Sequence, residues 1–87
     1  MKGVFKTTAS GSRGSEVEMV ARREIPFVPS VGDMLAVAPH GDYWCVDDVF
    51  WHCERPDEIE VFVSSTNGIS TVSYMRAQGW EKAELQP

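Results

Sequence analysis

The segment that decides the fold is DYWCVDDVFWHCE, residues 42–54. It holds four aromatic residues, two valines and both cysteines of the chain within thirteen positions. A half-exposed strand usually alternates apolar residues toward the core with polar residues toward solvent. This segment has apolar residues at odd and at even positions, so it predicts a strand with two apolar faces. The second face must either be covered by another part of the chain or be used for binding.

The chain around this segment is short and acidic. Its 87 residues suffice for one small domain, residues 1–87, and its formal net charge is −5. Nucleic acids and anionic membranes bind proteins largely through Lys and Arg side chains that neutralise phosphates, so the composition argues against both partners. We find no signal peptide and no apolar run near the ~20 residues of a membrane span. The sequence therefore predicts a cytoplasmic protein.

Five segments are predicted as strands of a small, strongly bent antiparallel sheet or a partly open barrel, so the fold class is mainly β (α+β). Each contains β-branched or aromatic residues, and turn-forming residues bound it; residues 16–25 and 58–63 also show a two-residue alternation. The segments are residues 2–9, 16–25, 34–38, 42–54 and 58–63. Residues 10–15 are expected to form a flexible loop, residues 32–33 a turn, and the prolines at positions 26 and 29 a corner.

Burial predicts the register of the hairpin formed by the fourth and fifth strands. Pairing Glu54 with Glu58 places the odd-numbered apolar residues on one face, which is then the core. The even-numbered residues lie on the other face, where His52 is opposite Glu60. The predicted core set includes Val49, Trp51, Ile59, Val61 and Val63. The predicted interaction surface consists of Trp44, Val46, Phe50 and Phe62.

In residues 70–80 the spacing of the apolar residues changes from that of a strand to that of a helix. Val72 and Met75 are three residues apart, Ser70 suits a helix N-cap, and Gly79 stands where a helix would stop. This pattern predicts a short helix over residues 70–78. Residues 71–74 have side chains that favour strands, so a strand is the alternative. A helix here would cover part of the second apolar face with Ile69, Val72, Met75 and Trp80.

Two short stretches resemble Src-homology-3-like barrels. Residues 32–37 (GDMLAV), a turn, and residues 43–46 (YWCV) are similar to the glycine-aspartate hairpin and the paired aromatics of that family. The resemblance implies a small bent barrel. It implies no recognition of proline-rich peptides, because the aromatic opening and closing motifs of the peptide-binding members are absent. A compact acidic barrel of this kind also resembles small bacterial proteins of mobile gene cassettes and phages, and that resemblance implies no activity.

The sequence contains no catalytic motif and predicts neither a cofactor nor a metal. Asp47 and Asp48 are neighbours on a strand, so they point to opposite faces and cannot form a carboxylate pair. His52 and Cys53 diverge for the same reason. On one continuous strand Cys45 and Cys53 would be about 26 Å apart, too far for a disulfide. Alternation also splits a metal set made of Cys45, Asp47, His52 and Cys53 between the two faces.

Binding is therefore the expected function. The leading hypothesis is a non-catalytic interaction module whose aromatic surface associates with another copy or with another protein. The alternative is a pocket for a cationic small molecule or a basic peptide, since aromatic faces and carboxylates both favour positive charge. The residues expected to form that pocket are Asp42, Tyr43, Trp44, Asp47, Asp48 and His52. An enzyme and an acidic mimic of nucleic acid rank below both.

Overall fold

The computed structural model describes residues 1–38, 42–66, 68 and 70–83. In this part of the chain the fold is mainly β, with one sheet of six strands and one short α-helix. The strands are β1 (Lys2–Ser10), β2 (Glu16–Glu24), β3 (Met34–Ala36), β4 (Tyr43–Trp51), β5 (Glu58–Ser65) and β6 (Glu81–Lys82), and the helix is α1 (Val72–Ala77). The spatial order is β3-β4-β5-β1-β2-β6, and the two outer strands do not pair, so the sheet is not closed into a barrel.

Each of the five predicted segments contains a strand, but the pairing differs from an all-antiparallel sheet. β1 lies between its hairpin partner β2 and β5 in the middle of the sheet, and its pairing with β5 is parallel. The sixth strand, β6, pairs with β2 at Met19 and Val20. It has only two residues, too few for an alternating pattern, so the sequence did not predict it. Residues 10–15 connect β1 to β2 through a 3-10 turn, Ser12–Gly14.

A β-bulge at Asp47 determines which side chains of β4 face the core. Val46 and Asp48 pair with neighbouring residues of β5, which leaves Asp47 as an extra residue in β4. Because side chains alternate between faces, one extra residue exchanges the faces of all residues before it. Trp44 and Val46 therefore face the core, and each is only 1% exposed. The prediction that Trp44 and Val46 lie on the interaction surface is wrong, because it assumed a β4 strand without a bulge.

The register near the β4–β5 turn differs from the predicted one by two residues. Trp51 is opposite Ile59 instead of Val61. A shift of two residues preserves the face, so Trp51 stays on the core side of the sheet. It lies at the end of β4 and outside the core cluster, and it is 57% exposed. The predicted burial of Trp51 is wrong, because the core does not extend to the end of the strand.

The core lies on the face of the sheet that α1 covers, together with Ile25, Val28 and Val37 from the segments on either side of β3. Ring centroids of Trp44 and Trp80 are 5.1 Å apart, with the planes tilted by 53°. The C-terminal part of the chain therefore covers the beginning of the aromatic segment, as a helix there was expected to do. The predicted contribution of Ile69 lies outside the described residues. The largest fully buried side chains are Met19, Trp44, Val46, Ile59, Val61, Met75 and Trp80.

The predicted short helix is confirmed, and local hydrogen bonds explain both of its ends. Thr71, rather than Ser70, is the N-cap, and its Oγ1 accepts a hydrogen bond from the Tyr74 N–H at 3.2 Å. At the other end, the Trp80 N–H donates to the Met75 carbonyl at 3.1 Å, and the Gly79 N–H donates to the Arg76 carbonyl at 3.0 Å. This is a Schellman motif, in which glycine adopts a positive φ, here +96°. The motif directs Trp80 back onto Met75 and Trp44.

With six residues, α1 is far shorter than a bilayer requires, and none of the helices in the described ranges is able to span a membrane.

A turn at residues 30–33 delivers β3 to the edge of β4. The Asp33 N–H donates to the Ser30 carbonyl at 3.0 Å, and Gly32, with φ +94°, occupies the third position of a type II turn. Gly32 N–H then donates to the Val46 carbonyl, while Val46 N–H donates to the Asp33 carbonyl. Gly32 and Asp33 thus lie opposite the single residue Val46. This is a G1 bulge, and its glycine is the same Gly32 that forms the turn. The predicted turn at residues 32–33 is confirmed.

Alanine substitutions at two tryptophans of β4 test the effect of the bulge at Asp47. Trp44→Ala is expected to lower the free energy of unfolding by about 3–5 kcal/mol, because it removes a fully buried ring. Trp51→Ala is expected to cost about 1 kcal/mol or less, because more than half of that side chain is already in water. Urea denaturation followed by circular dichroism measures both. A larger loss for Trp51→Ala would contradict this assignment of faces.

Candidate functional site

The outer face of the sheet, opposite the core, carries a pair of exposed phenylalanines. Phe50 of β4 and Phe62 of β5 are 49% and 37% exposed. Their ring centroids are 5.4 Å apart, and the planes meet at 82°. This edge-to-face geometry is one of the preferred arrangements of aromatic pairs. Two members of the predicted interaction surface therefore lie together on the surface, whereas Trp44 and Val46 are buried.

The strand register places opposite charges on the two sides of Phe62. Phe62 pairs with Asp48 of β4 and with Lys6 of β1, so the three residues form one row across the sheet. In the next row, Phe50 and Glu60 are opposite each other. Neighbouring strands are about 4.8 Å apart. The phenylalanine pair is thus bordered by an acidic side chain on one side and a basic one on the other.

A cluster of charged side chains adjoins the phenylalanine pair. One oxygen of the Glu60 carboxylate accepts a hydrogen bond from Lys6 Nζ, and the other lies 2.6 Å from His52 Nε2. Lys6 Nζ is also 5.9 Å from the centre of the Phe62 ring, within the range of a cation–π interaction. The predicted contact between His52 and Glu60 is confirmed, but the predicted pairing is wrong, because Phe50 and not His52 is opposite Glu60 in the register. Lys6 was missed, because it reaches Glu60 only through the parallel pairing of β1 with β5.

Hydrogen bonding controls the charge of Glu60. The bond from Lys6, followed by the bond with His52, lowers the pKa of the Glu60 carboxyl below its ordinary value of 4.5, while burial opposes the change. Both carboxylate oxygens are engaged, so Glu60 is not a free base. The cluster links β1 and β5 to the residue that follows β4, and its Lys6 lies over the ring of Phe62.

The residues predicted to form an aromatic and acidic pocket do not come together. Asp42 precedes β4, and its carboxylate accepts a hydrogen bond from the Tyr74 hydroxyl at 3.3 Å. His52 follows the other end of β4, about 30 Å away along an extended strand. Asp47, at the bulge, accepts a hydrogen bond from Ser64 Oγ at 3.2 Å. The remaining members are Trp44 in the core and the exposed Tyr43 and Asp48.

The described residues also show no metal centre: no group of three His, Cys, Asp or Glu side chains is placed to hold an ion in the ranges given above. Cys45 is half-buried in β4, and Cys53 is exposed in the β4–β5 turn. Both are free thiols.

A cleft of about 430 Å³ lies at the opening between β2 and β3, where the sheet does not close. Arg23 crosses this opening, since its Nε donates to the Val37 carbonyl at 3.0 Å. A side chain therefore joins the two edges in place of a backbone ladder. Phe27, 69% exposed, belongs to the lining. The lining is mainly apolar: it includes Phe5, Ile25, Pro26, Phe27, Pro29, Met34, Leu35, Ala36 and Val37.

The volume of the cleft falls within the range of about 300–1,000 Å³ typical of ligand sites. The sequence did not predict it, because its walls are contributed by segments whose proximity depends on the path of residues 25–38 across the sheet.

No known protein family, curated protein or solved structure matches this chain. Function is therefore inferred from the geometry of the chain's own residues. Two surfaces have the exposure and shape of binding sites: the phenylalanine pair on the outer face and the cleft beside β3.

The Glu60 cluster predicts how stability depends on pH. The native contacts lower the pKa of Glu60 relative to the unfolded chain, so they favour the ionised carboxylate. Their contribution is complete above about 4.5, the ordinary value, and is lost as the pH falls below that value through the lowered native pKa. Glu60→Gln is expected to show a smaller loss of unfolding free energy than the wild type between about pH 6 and about pH 3.

Urea denaturation at a series of pH values measures this difference. Lys6→Met, which removes the largest cause of the pKa change, is expected to weaken the pH dependence in the same direction. Identical slopes for the wild type and Glu60→Gln would show that the cluster contributes nothing to acid sensitivity.

Proposed function

We propose that this protein is a non-catalytic interaction module that associates with a second copy of itself through the phenylalanine pair. The observation that carries the proposal is the exposed edge-to-face contact of Phe50 with Phe62 on an outer face that neither α1 nor residues 25–38 cover. Adjacent exposed aromatic rings are uncommon on small monomeric proteins and are typical of protein interfaces. Large rings provide much contact area and lose little side-chain freedom on binding.

The charges beside the pair favour a second copy as the partner. Across the sheet, the order is Asp48, Phe62, Lys6. When two such faces meet about a twofold axis parallel to the strands, the order of the row is reversed in the partner. Asp48 of each copy then lies opposite Lys6 of the other, with the phenylalanine pairs in the middle. The surface is therefore self-complementary, as a symmetric dimer requires.

The alternative function is binding of a cationic small molecule or a basic peptide. Of the acidic residues predicted for that site, only Asp48 is opposite one of the two phenylalanines in the strand register. Asp48 beside the two phenylalanine rings combines a carboxylate with aromatic faces, and Lys6 already occupies one of these faces within the molecule. A cationic ligand would compete with Lys6 for Phe62, which makes this candidate the weaker one. The likeness of residues 32–46 to Src-homology-3-like hairpins does not bear on either candidate.

Equilibrium sedimentation at high micromolar concentration tests self-association. The wild type is expected to exceed the monomer mass, and Phe62→Ser is expected to lower the association constant by about tenfold or more, because it removes a central interface ring. Phe27→Ser is the matched control, since it removes an exposed phenylalanine from a different surface and is expected to leave association unchanged. A strictly monomeric wild type would refute the proposal.

Charge reversal tests the arrangement of the two copies. Asp48→Lys places like charges opposite each other in the dimer and is expected to weaken association more than Asp48→Asn, with the difference decreasing at high salt. Stronger association of Asp48→Lys would contradict the twofold arrangement. Binding of a small diamine that depends on Asp48, without any association, would favour the cationic-ligand alternative.

A further inference from the structure

The outer edge of β3 has backbone groups that none of the described strands uses. β3 is the last strand of the sheet, and its far side pairs with no strand among the described residues. The hydrogen bond from the Val46 N–H to the Asp33 carbonyl shows which groups point inward. Antiparallel bonds occur at every second residue, so Leu35 pairs with β4, while the N–H and C=O of Met34 and Ala36 point outward. An edge of this kind is a template for one more strand.

The apolar cleft lies directly beside this edge. Met34, Leu35 and Ala36 line the cleft together with residues 24–27. A strand hydrogen-bonded to Met34 and Ala36 would lie about 4.8 Å from β3, inside the opening. Its side chains would alternate between the cleft and solvent. The cleft therefore offers an apolar pocket at the place where an added strand would direct a side chain.

The charged residues that line the cleft indicate which kind of peptide would bind there. The only basic side chain in the lining of the described part of the cleft, Arg23, is already engaged, with Nε donating to the Val37 carbonyl and Nη1 donating to the Arg22 carbonyl. Glu24 and Asp33 both line the cleft, and the Glu24 side chain is 79% exposed. The Glu24 carboxylate lies 3.2 Å from the N-terminal ammonium of Met1, and Asp33 Oδ2 accepts a hydrogen bond from the Ser30 N–H, but no basic side chain of the described lining pairs with either carboxylate. Together with the net charge of −5, this favours a basic segment.

We propose that the cleft beside β3 is a docking site for an extended peptide of a partner protein. The peptide adds a strand to the free edge through the backbone groups of Met34 and Ala36. One apolar side chain enters the cleft against Phe5 and Phe27, and Lys or Arg residues flank it near Glu24 and Asp33. This site is separate from the phenylalanine pair, so it goes beyond the proposed self-association.

Selection from a phage-displayed library of random decapeptides on the full chain tests the proposal. We expect enriched peptides in which apolar residues alternate with polar ones and Lys or Arg flanks the central apolar residue. In ¹H–¹⁵N spectra of the protein with an enriched synthetic peptide, the amides of Met34 and Ala36 are expected to shift. An absence of enriched sequences, or shifts confined to Phe50 and Phe62, would overturn the proposal.

Two further measurements distinguish strand addition from simple apolar binding. Methylation of alternate backbone nitrogens of the peptide removes its donors, and it is expected to weaken binding to the wild-type protein about tenfold or more. Ala36→Pro removes one outward N–H of β3 without affecting a bond to β4, and it is expected to weaken binding similarly. Phe62→Ser, which disrupts the proposed dimer surface, is the control and is expected to leave peptide binding unchanged. Undiminished binding of the methylated peptide would show that no strand is added.

Discussion

The extra residue at Asp47 is the constraint on which the arrangement of the other side chains depends. Without it, Trp44 and Val46 would share a face with Phe50, and the core side would lose two of its most deeply buried groups. The bulge exchanges the two faces of β4 at one point. As a result, Trp44 and Val46 point to the same core as the buried residues of β5. A strand that is apolar at odd and at even positions thereby fills one core and leaves only part of its apolar surface exposed.

The contact of Trp44 with Trp80 follows from that reversal. The buried ring needs a cover, and the Schellman motif at the end of α1 supplies it by directing Trp80 back onto the sheet. The fit has a cost, because the Nε1 atoms of Trp44 and Trp80 are buried without a hydrogen-bond partner within the described ranges. Each such group destabilises the native state by about 1–3 kcal/mol. Burial of the Trp44 and Trp80 rings, the two largest of the fully buried side chains, offsets that loss.

The same arrangement leaves two surfaces free, and they have different physical characters. On the outer face, the phenylalanine pair is apolar at its centre and bordered by charges of both signs, which suits another copy of the same face. At the opening of the sheet, the free edge of β3 offers backbone groups beside an apolar cleft, which suits an extended chain. The Arg23 side chain bridges the opening by donating to the Val37 carbonyl just after β3, so it does not use the outward backbone groups of Met34 and Ala36.

Local patterns in the sequence predicted the five longer strand segments, the turn at Gly32, the short helix with its stop at Gly79, and the contact of His52 with Glu60. These features depend on residues close together in the chain or on one hairpin, so alternation and turn chemistry suffice to predict them. The sequence also indicated an apolar surplus in residues 42–54, and of the predicted interaction surface it identified Phe50 and Phe62 correctly as exposed.

Only the tertiary structure decided the faces of Trp44 and Val46, the parallel pairing of β1 with β5, the position of Lys6 beside Glu60, and the cleft beside β3. A bulge gives no signal in the period of a strand until its partner is known, and a single extra residue reverses every assignment before it. Strand order and the path of residues 25–38 likewise depend on contacts between distant segments. The sequence by itself determined that the aromatic segment has more apolar surface than one face needs, and the packing of the whole chain decided which of those residues remained on the surface.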